Sequence, residues 1–329
     1  MGREAIYLDK GIAYLPESQF SNGELDVDIA PSNPGFGGLV FHLDSSLNYE
    51  EVYMRYIKSG WADAAQYSPV FNGESSWQLY PEYQGLLKYP AAEWIHMKIK
   101  VQNRQAKVYF MGSDTASIYI DSLRVPANKG MIGIWSLQGA YFSNLSYKET
   151  SNESLTGKDQ MLYNTQAIKT WEISPAFSFR FSDIEHFDLS GFRNLQWKKA
   201  LTEEDGLLNI NRYARKKIFG KFKDNSEELV WLRYEWNEPK AGIKPFSFEF
   251  TNRCFIFLNG QKAFAGNNSF RLKGPLDRGS FDKHMRGNIC YLPVQKGRNS
   301  LMIGVAGVAN GWGFMGTFED NSNKGFIKY

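Results

Sequence analysis

The chain has 329 residues, with 38 Lys or Arg against 35 Asp or Glu, for a net charge of +3. That balance argues against nucleic acid or an anionic membrane surface as a partner, and no run of roughly 18 apolar residues is present to span a bilayer. The length fits two domains of ~150 residues each, and aromatics reach 16% (24 Phe, 18 Tyr, 9 Trp), enough to fill cores and still leave rings for flat ligands.

The chain opens "MGREAIYLDK", without the apolar stretch of a secretory leader. The expected location is periplasmic or extracellular with the leader absent from this chain; a cytoplasmic location fits the same residues. From there the pattern is nearly all β, with short alternating runs broken by Gly, Asn, Pro and Ser. "GELDVDIA" puts Leu25, Val27 and Ile29 on one face and Glu24, Asp26 and Asp28 on the other. "LVFHLD" alternates Leu39, Phe41 and Leu43 with His42 and Asp44. "YEEVYMRYI" sorts Val52 and Met54 to the core face and Glu51, Tyr53 and Arg55 to the other, where same-face residues repeat every ~7 Å. "EWIHMKIKV" turns Ile95, Met97, Ile99 and Val101 inward and is followed by a tight turn at "QNR". "GMIGIWS" and "AYFSNLSYK" complete a first unit over residues 1–150.

Residues 151–165 are expected to form a polar linker, and residues 166–329 a second unit. A weak helical pattern lies around 196–205. "PFSFEFTN" alternates Phe246, Phe248 and Phe250 with Ser247 and Glu249. Asn259-Gly260 is a strong hairpin signal, and Lys296-Gly297 marks another turn. Trp231 and Trp236 differ by five and so point to opposite faces. The expectation is an all-β chain of two β-sandwich, jelly-roll-like domains. Cys254 and Cys290, both in strand-like runs, are expected as buried free thiols; a single bridge between them in an exported chain stays open.

The series "FSNGELDVDI", "GFGGLVFHLDSSLNYEEVYMR", "AAQYSPVFNG", "SSWQLY", "EWIHMKIKV" and "GMIGIW" resembles the concanavalin A-like lectin/glucanase sandwich, in its laminin-G-like variety. The phrases "FIFLNGQKAFAG", "YLPVQKGRNSLMIGVAG" and "GWGF" make the second unit similar to a galactose-binding-like jelly roll. Together the resemblances imply a bacterial protein of polysaccharide utilisation, with a glycan on the concave sheet of the first unit; fold alone does not fix function.

Glu51 and Arg55 can bind sugar hydroxyls, and Tyr53 offers both a ring and a polar tip. His42 is expected on the same polar face, with Gln66, Tyr67, Asn72 and Trp77 lining it from the segments that follow. On a strand Glu51 and Arg55 lie ~13 Å apart, so they do not pair directly. In the second unit Trp312, between two glycines, either projects toward a ligand or plugs the sandwich. The resemblance offers one catalytic alternative: Glu24, Asp26 and Asp28 stand in an order similar to the carboxylate series of laminarinase-type glucanases, or Glu51 acts as acid/base. Against it, the last position is Asp rather than Glu, and acids on an outward strand face are ordinarily just solvated. No catalytic pair is defensible, so the preferred reading is a glycan-binding accessory protein that is not an enzyme. A glycoside hydrolase or sugar lyase is the second reading, and a structural or adhesion protein the third. No cofactor is expected. His42, His96, His186 and His284 have no zinc-ligand spacing, and the carboxylates leave structural calcium as the one metal possibility.

Overall fold

The computed structural model describes residues 3–32, 34–150, 155, 166–179, 195–216, 227–269, 281–308 and 310–319. The expected linker at 151–165, apart from Leu155, and His186 lie outside them. The chain divides into two compact units, Met1–Gln160 and Met161–Tyr329.

The first unit runs β1 (Ile6–Leu8), β2 (Gly11–Phe20), β3 (Gly23–Pro31), β4 (Phe36–Leu43), β5 (Tyr49–Arg55), β6 (Ala65–Phe71) and β7 (Glu74–Ser75). It continues with β8 (Gln84–Gly85), β9 (Ile95–Gln102), β10 (Gln105–Phe110), β11 (Ile118–Ile120), β12 (Gly130–Leu137) and β13 (Ala140–Glu149). One sheet has the order β1-β13-β3-β9-β10-β11; the other is β2-β12-β4-β5-β6-β7, with β8 also on β6. Alternation decides the inner faces. Leu25, Val27 and Ile29 of β3 and Ile95, Met97 and Ile99 of β9 are fully buried, as are Leu39, Phe41, Val52 and Met54 of the facing sheet. The sheets approach closely at Gly37, where a Cβ would meet Ile29 Cγ2 at 2.7 Å. The "QNR" turn joins β9 to β10 with Asn103 and Arg104 both in the left-handed region, φ 47° and 67°.

The second unit runs β14 (Thr170–Ile173), β15 (Phe177–Phe179), β16 (Lys198–Leu201), β17 (Leu208–Asn209), β18 (Glu227–Glu238) and β19 (Gly242–Phe250). Then come β20 (Asn252–Leu258), β21 (Gln261–Asn268), β22 (Ile289–Val294), β23 (Gly297–Gly307) and β24 (Gly313–Phe318). Its sheets are β16-β14-β18-β23-β20-β21, with β15 on β18, and β17-β24-β19-β22. Between them Phe246, Phe248 and Phe250 pack with Val230, Leu232, Ile303, Val305 and Phe314. Asn259-Gly260 forms the β20–β21 hairpin with positive φ at both positions. Trp231 and Trp236 do point apart, Trp231 into a cluster with Leu229, Phe255 and Phe257 and Trp236 onto the main core.

One expectation is corrected here, and one pair of alternatives is decided. The weak helical pattern near 196–205 is strand β16, because Lys198–Leu201 pairs antiparallel with β14. Trp312 does not project: it is fully buried, donates Nε1–H to Val305 O at 3.1 Å and packs on Gly307, which has no side chain to exclude it. Cys254 and Cys290 are free thiols in the same core, and burial pushes Cys290 up to about 11 and Cys254 well above its ordinary value.

Candidate functional site

The register across β12, β4, β5 and β6 builds one row of side chains on the outer face of the second sheet. Trp135 sits opposite Gly38, Gly38 opposite Tyr53, and Tyr53 opposite Gln66. Gly38 makes room for the phenol, since a Cβ there would lie 2.7 Å from Tyr53 Cβ. The rings of Tyr53 and Trp135 are 5.3 Å apart. One step along, Arg55 folds back over the row. Its Nη2 donates to Tyr53 Oη at 2.7 Å and to Gln66 Oε1 at 2.6 Å, and Nη1 donates to Asp63 O at 2.7 Å. The guanidinium carbon lies 4.8 Å from the Tyr53 ring centroid and 5.5 Å from that of Trp77. Gln66 Nε2 in turn donates to Trp77 O at 2.7 Å and Tyr80 O at 3.2 Å. Glu51, Tyr53, Arg55, Gln66 and Trp77 are therefore one neighbourhood, joined by Trp135, which the sequence reading missed although "GMIGIW" alternates toward it.

The face is not open, as alternation had suggested. Exposure is 1% at Glu51, 5% at Tyr53, 8% at Arg55 and 0% at Gln66. Further along the same face Val40, Leu43, Tyr49 and Val70 form a buried apolar cluster with Ile12, Met131 and Trp135 against it. A period of two reports which side chains share a face, not whether that face is covered.

Within this neighbourhood Glu51 stands apart. Its Oε1 is buried without a hydrogen-bond partner. Burial pushes the carboxyl up to about 8, against the pull of the Arg55 charge. At neutral pH it is a neutral acid with a hydroxyl to donate. Glu50, on the opposite face of β5, is bound: Tyr67 Oη donates to it at 2.7 Å and Val125 N at 2.8 Å, and burial still raises it to about 7.

Three expected members lie elsewhere. Tyr67 is on the inner face of β6, holding Glu50 and accepting from Arg124 N at 3.1 Å, because odd and even positions of β6 diverge. Asn72 sits at the β6–β7 turn with φ 54°, its backbone N–H donating to Asn48 Oδ1. His42 does not share the Glu51 face. A register shift between Met131 and Gly133 and a left-handed φ of 53° at His42 break the alternation there. The imidazole stacks near Phe20 and lines a cavity at one end of the sandwich.

The alternative carboxylate series is ion-paired throughout. Lys100 Nζ is 2.9 Å from Glu24 Oε1, Lys98 Nζ is 3.5 Å from Asp26 Oδ1, and Arg3 Nη1 is 2.6 Å from Asp28 Oδ2. His96 bridges Asp26 and Asp28 at 3.1 and 2.8 Å. The Lys100 bond lowers Glu24 below the usual range; partial burial raises Asp28, but its bonds from His96 and Asn144 outweigh that and bring it down too. Among the described residues no three His, Cys, Asp or Glu side chains group as metal ligands, and no helix is long and apolar enough to cross a membrane.

Neither a protein-family model nor a curated sequence matches the chain. Solved structures similar to part of it include carbohydrate-binding module CBM66 from Bacillus subtilis, at 16% identity over 44% of this chain and 92% of that one, with a TM-score of 0.35. A Bacillus licheniformis β-glucanase matches at 12% identity over 41% of this chain and 69% of its own, TM-score 0.30. A Bacillus subtilis protein with a galectin-like fold matches at 14% over 43% and 80%, TM-score 0.29.

Proposed function

We propose that the amino-terminal unit is a carbohydrate-binding sandwich that holds a glycan against the outer face of its second sheet. The observation that carries this is the unpartnered Glu51 carboxyl beside a complete Arg55–Tyr53–Gln66 network and the Trp135 ring. A buried carboxyl oxygen without a partner is costly, and a ligand that completes it is one of the roles for which such a group is kept. A sugar hydroxyl is that kind of partner, and the adjacent rings fit its C–H face. Because the face is buried, binding requires it to uncover.

That same burial favours the structural reading as the competitor, in which the row serves only as packing. Catalysis has less support: Glu50 faces the other side of β5, and Glu24, Asp26 and Asp28 are ion-paired. The test is a glycan array with the full chain, followed by affinity gels with Trp135→Ala and Glu51→Gln. A bound glycan whose retention falls about tenfold in each variant supports the reading. No retained glycan, or retention that both variants leave intact, assigns the face to packing. Release of reducing ends from a retained polysaccharide, abolished in Glu51→Gln, would make the chain an enzyme.

A further inference from the structure

The cavity that takes in His42 lies away from the Glu51 row. It has a volume of about 270 Å³ and is lined by Ser21, Asn22, His42, Asn103, Arg104, Leu123 and the 127–129 segment. Its charged lining residues are Arg104 and Lys129, with no carboxylate among them. Arg104 is held there by its turn. It takes the left-handed φ of 67° that the two-residue β9–β10 hairpin requires. Its guanidinium is braced from one side by the Leu123 and Val125 carbonyls, which leaves other N–H groups for a ligand. Glu50 feels the Arg104 charge, but its carboxyl is already bound by Tyr67 and Val125.

His42 supplies a different kind of group. Its Nε2 lies 3.0 Å from Ser21 O, and a carbonyl only accepts, so Nε2 carries the proton. Burial, with Arg104 nearby, keeps the imidazole neutral. Its Nδ1 is then a bare lone pair, enclosed and without a hydrogen-bond partner, on a ring that is 3% exposed. The β9–β10 turn thus brings Arg104, and the bulge in β4 brings the His42 acceptor, to a hollow that Lys129 also lines.

We propose that this end cavity is a second ligand site, for a sugar residue carrying a carboxylate. The carboxylate would pair with Arg104 and Lys129, and a neighbouring hydroxyl would donate to His42 Nδ1. Bare sulfate or acetate brings no such hydroxyl. The volume is just below the roughly 300 Å³ at which small-ligand pockets begin, so it suits one residue rather than a chain.

The test is calorimetric titration of the full chain with methyl galacturonide, beside methyl galactoside, acetate and sulfate. Uronide should bind at least about tenfold tighter than the other three. Lys129→Ala, at an exposed position, should weaken uronide binding about threefold to tenfold. Arg104→Gln should reduce it at least about tenfold. Because Arg104 also braces a loop, His42→Gly provides the independent variant: Gly takes left-handed backbone freely and supplies no side-chain acceptor, and should weaken uronide more than acetate. In the unaltered chain, uronide should move the His42 ring nitrogen resonances. No uronide binding, equal affinity for the galactoside or acetate, or binding that Lys129→Ala and His42→Gly leave unchanged would overturn the proposal. Failure at this cavity leaves the Glu51 face untouched, since none of these variants alters that row.

Discussion

Two strands of the first unit carry acids on the face turned away from the inter-sheet core, and their fates differ. On β3, Glu24, Asp26 and Asp28 are part-exposed and each is matched by a cation from β9 or the amino-terminal segment. On β5, Glu51 is buried; its strand neighbour Arg55 is spent on Tyr53, Gln66 and a carbonyl, and Glu51 Oε1 is left without a partner. Register explains the difference. Glu24 lies across from Lys100, Asp26 from Lys98 and Asp28 from His96, whereas Glu51 lies across from Val40 and Ser68. Acids that a neighbouring strand neutralises belong to the scaffold, and an acid set among apolar and hydroxyl neighbours waits for something else.

The contrast predicts a graded set of outcomes. Arg55→Ala should cost most, about 3–5 kcal/mol in urea unfolding of the first unit, because it strands Gln66 Oε1, Tyr53 Oη and the Asp63 carbonyl in a buried setting. A loss under about 1 kcal/mol would mean the network is solvated.

The pH dependence comes next. Glu51 at about 8 and Glu50 at about 7 both sit above the ordinary 4.5, so the folded chain holds protons that the unfolded chain has released. Stability from these groups is complete below about pH 4.5 and drains away as pH rises toward 8, by up to about 4 kcal/mol from Glu51. On the acid side, the lowered Glu24 and Asp28 carboxyls work in the opposite sense and lose their contribution below about pH 4. Glu51→Gln should flatten the fall between pH 5 and 8; urea midpoints that still decline in parallel with the unaltered chain would show Glu51 ionised and hydrated.

Smallest of all, Glu24→Gln, Asp26→Asn and Asp28→Asn should each change stability by less than about 1 kcal/mol, with the difference fading as salt is added. They should leave glycan retention unchanged. If retention is lost with any of them, the two strands exchange roles.

Alternation along β3, β5 and β9, and along β4 as far as Phe41, was enough to read both inner faces, and the Asn-Gly pair was enough to read the β20–β21 hairpin, because side-chain period and turn chemistry are local; past the β4 bulge Leu43 joins the outer cluster instead. Of the site, the polar row of β5 and its neighbours Gln66 and Trp77 were legible, but not Trp135 or the true places of His42, Tyr67 and Asn72. That β5 would be covered depends on what lies above the sheet, which no short pattern encodes. His42 left the row because a bulge shifts the register of β12, a long-range event invisible in "LVFHLD". Arg104 looked like an ordinary turn residue; its meaning comes from Leu123, Val125 and Lys129, some twenty positions later in the chain. For Trp312 the flanking glycines allowed both projection and plugging; the indole plugs the sandwich, received by Gly307 five positions earlier.

The pair of thiols in the carboxy-terminal unit makes the chain its own stopwatch. They are its only cysteines, both are sealed in one core, and neither is bridged. A thiol reagent should therefore react at a rate set by the opening of that unit alone, while the amino-terminal sandwich stays silent. Opposed by tryptophan fluorescence from both units, such labelling would time the two halves separately, and simultaneous reaction and fluorescence change would mean that they unfold as one.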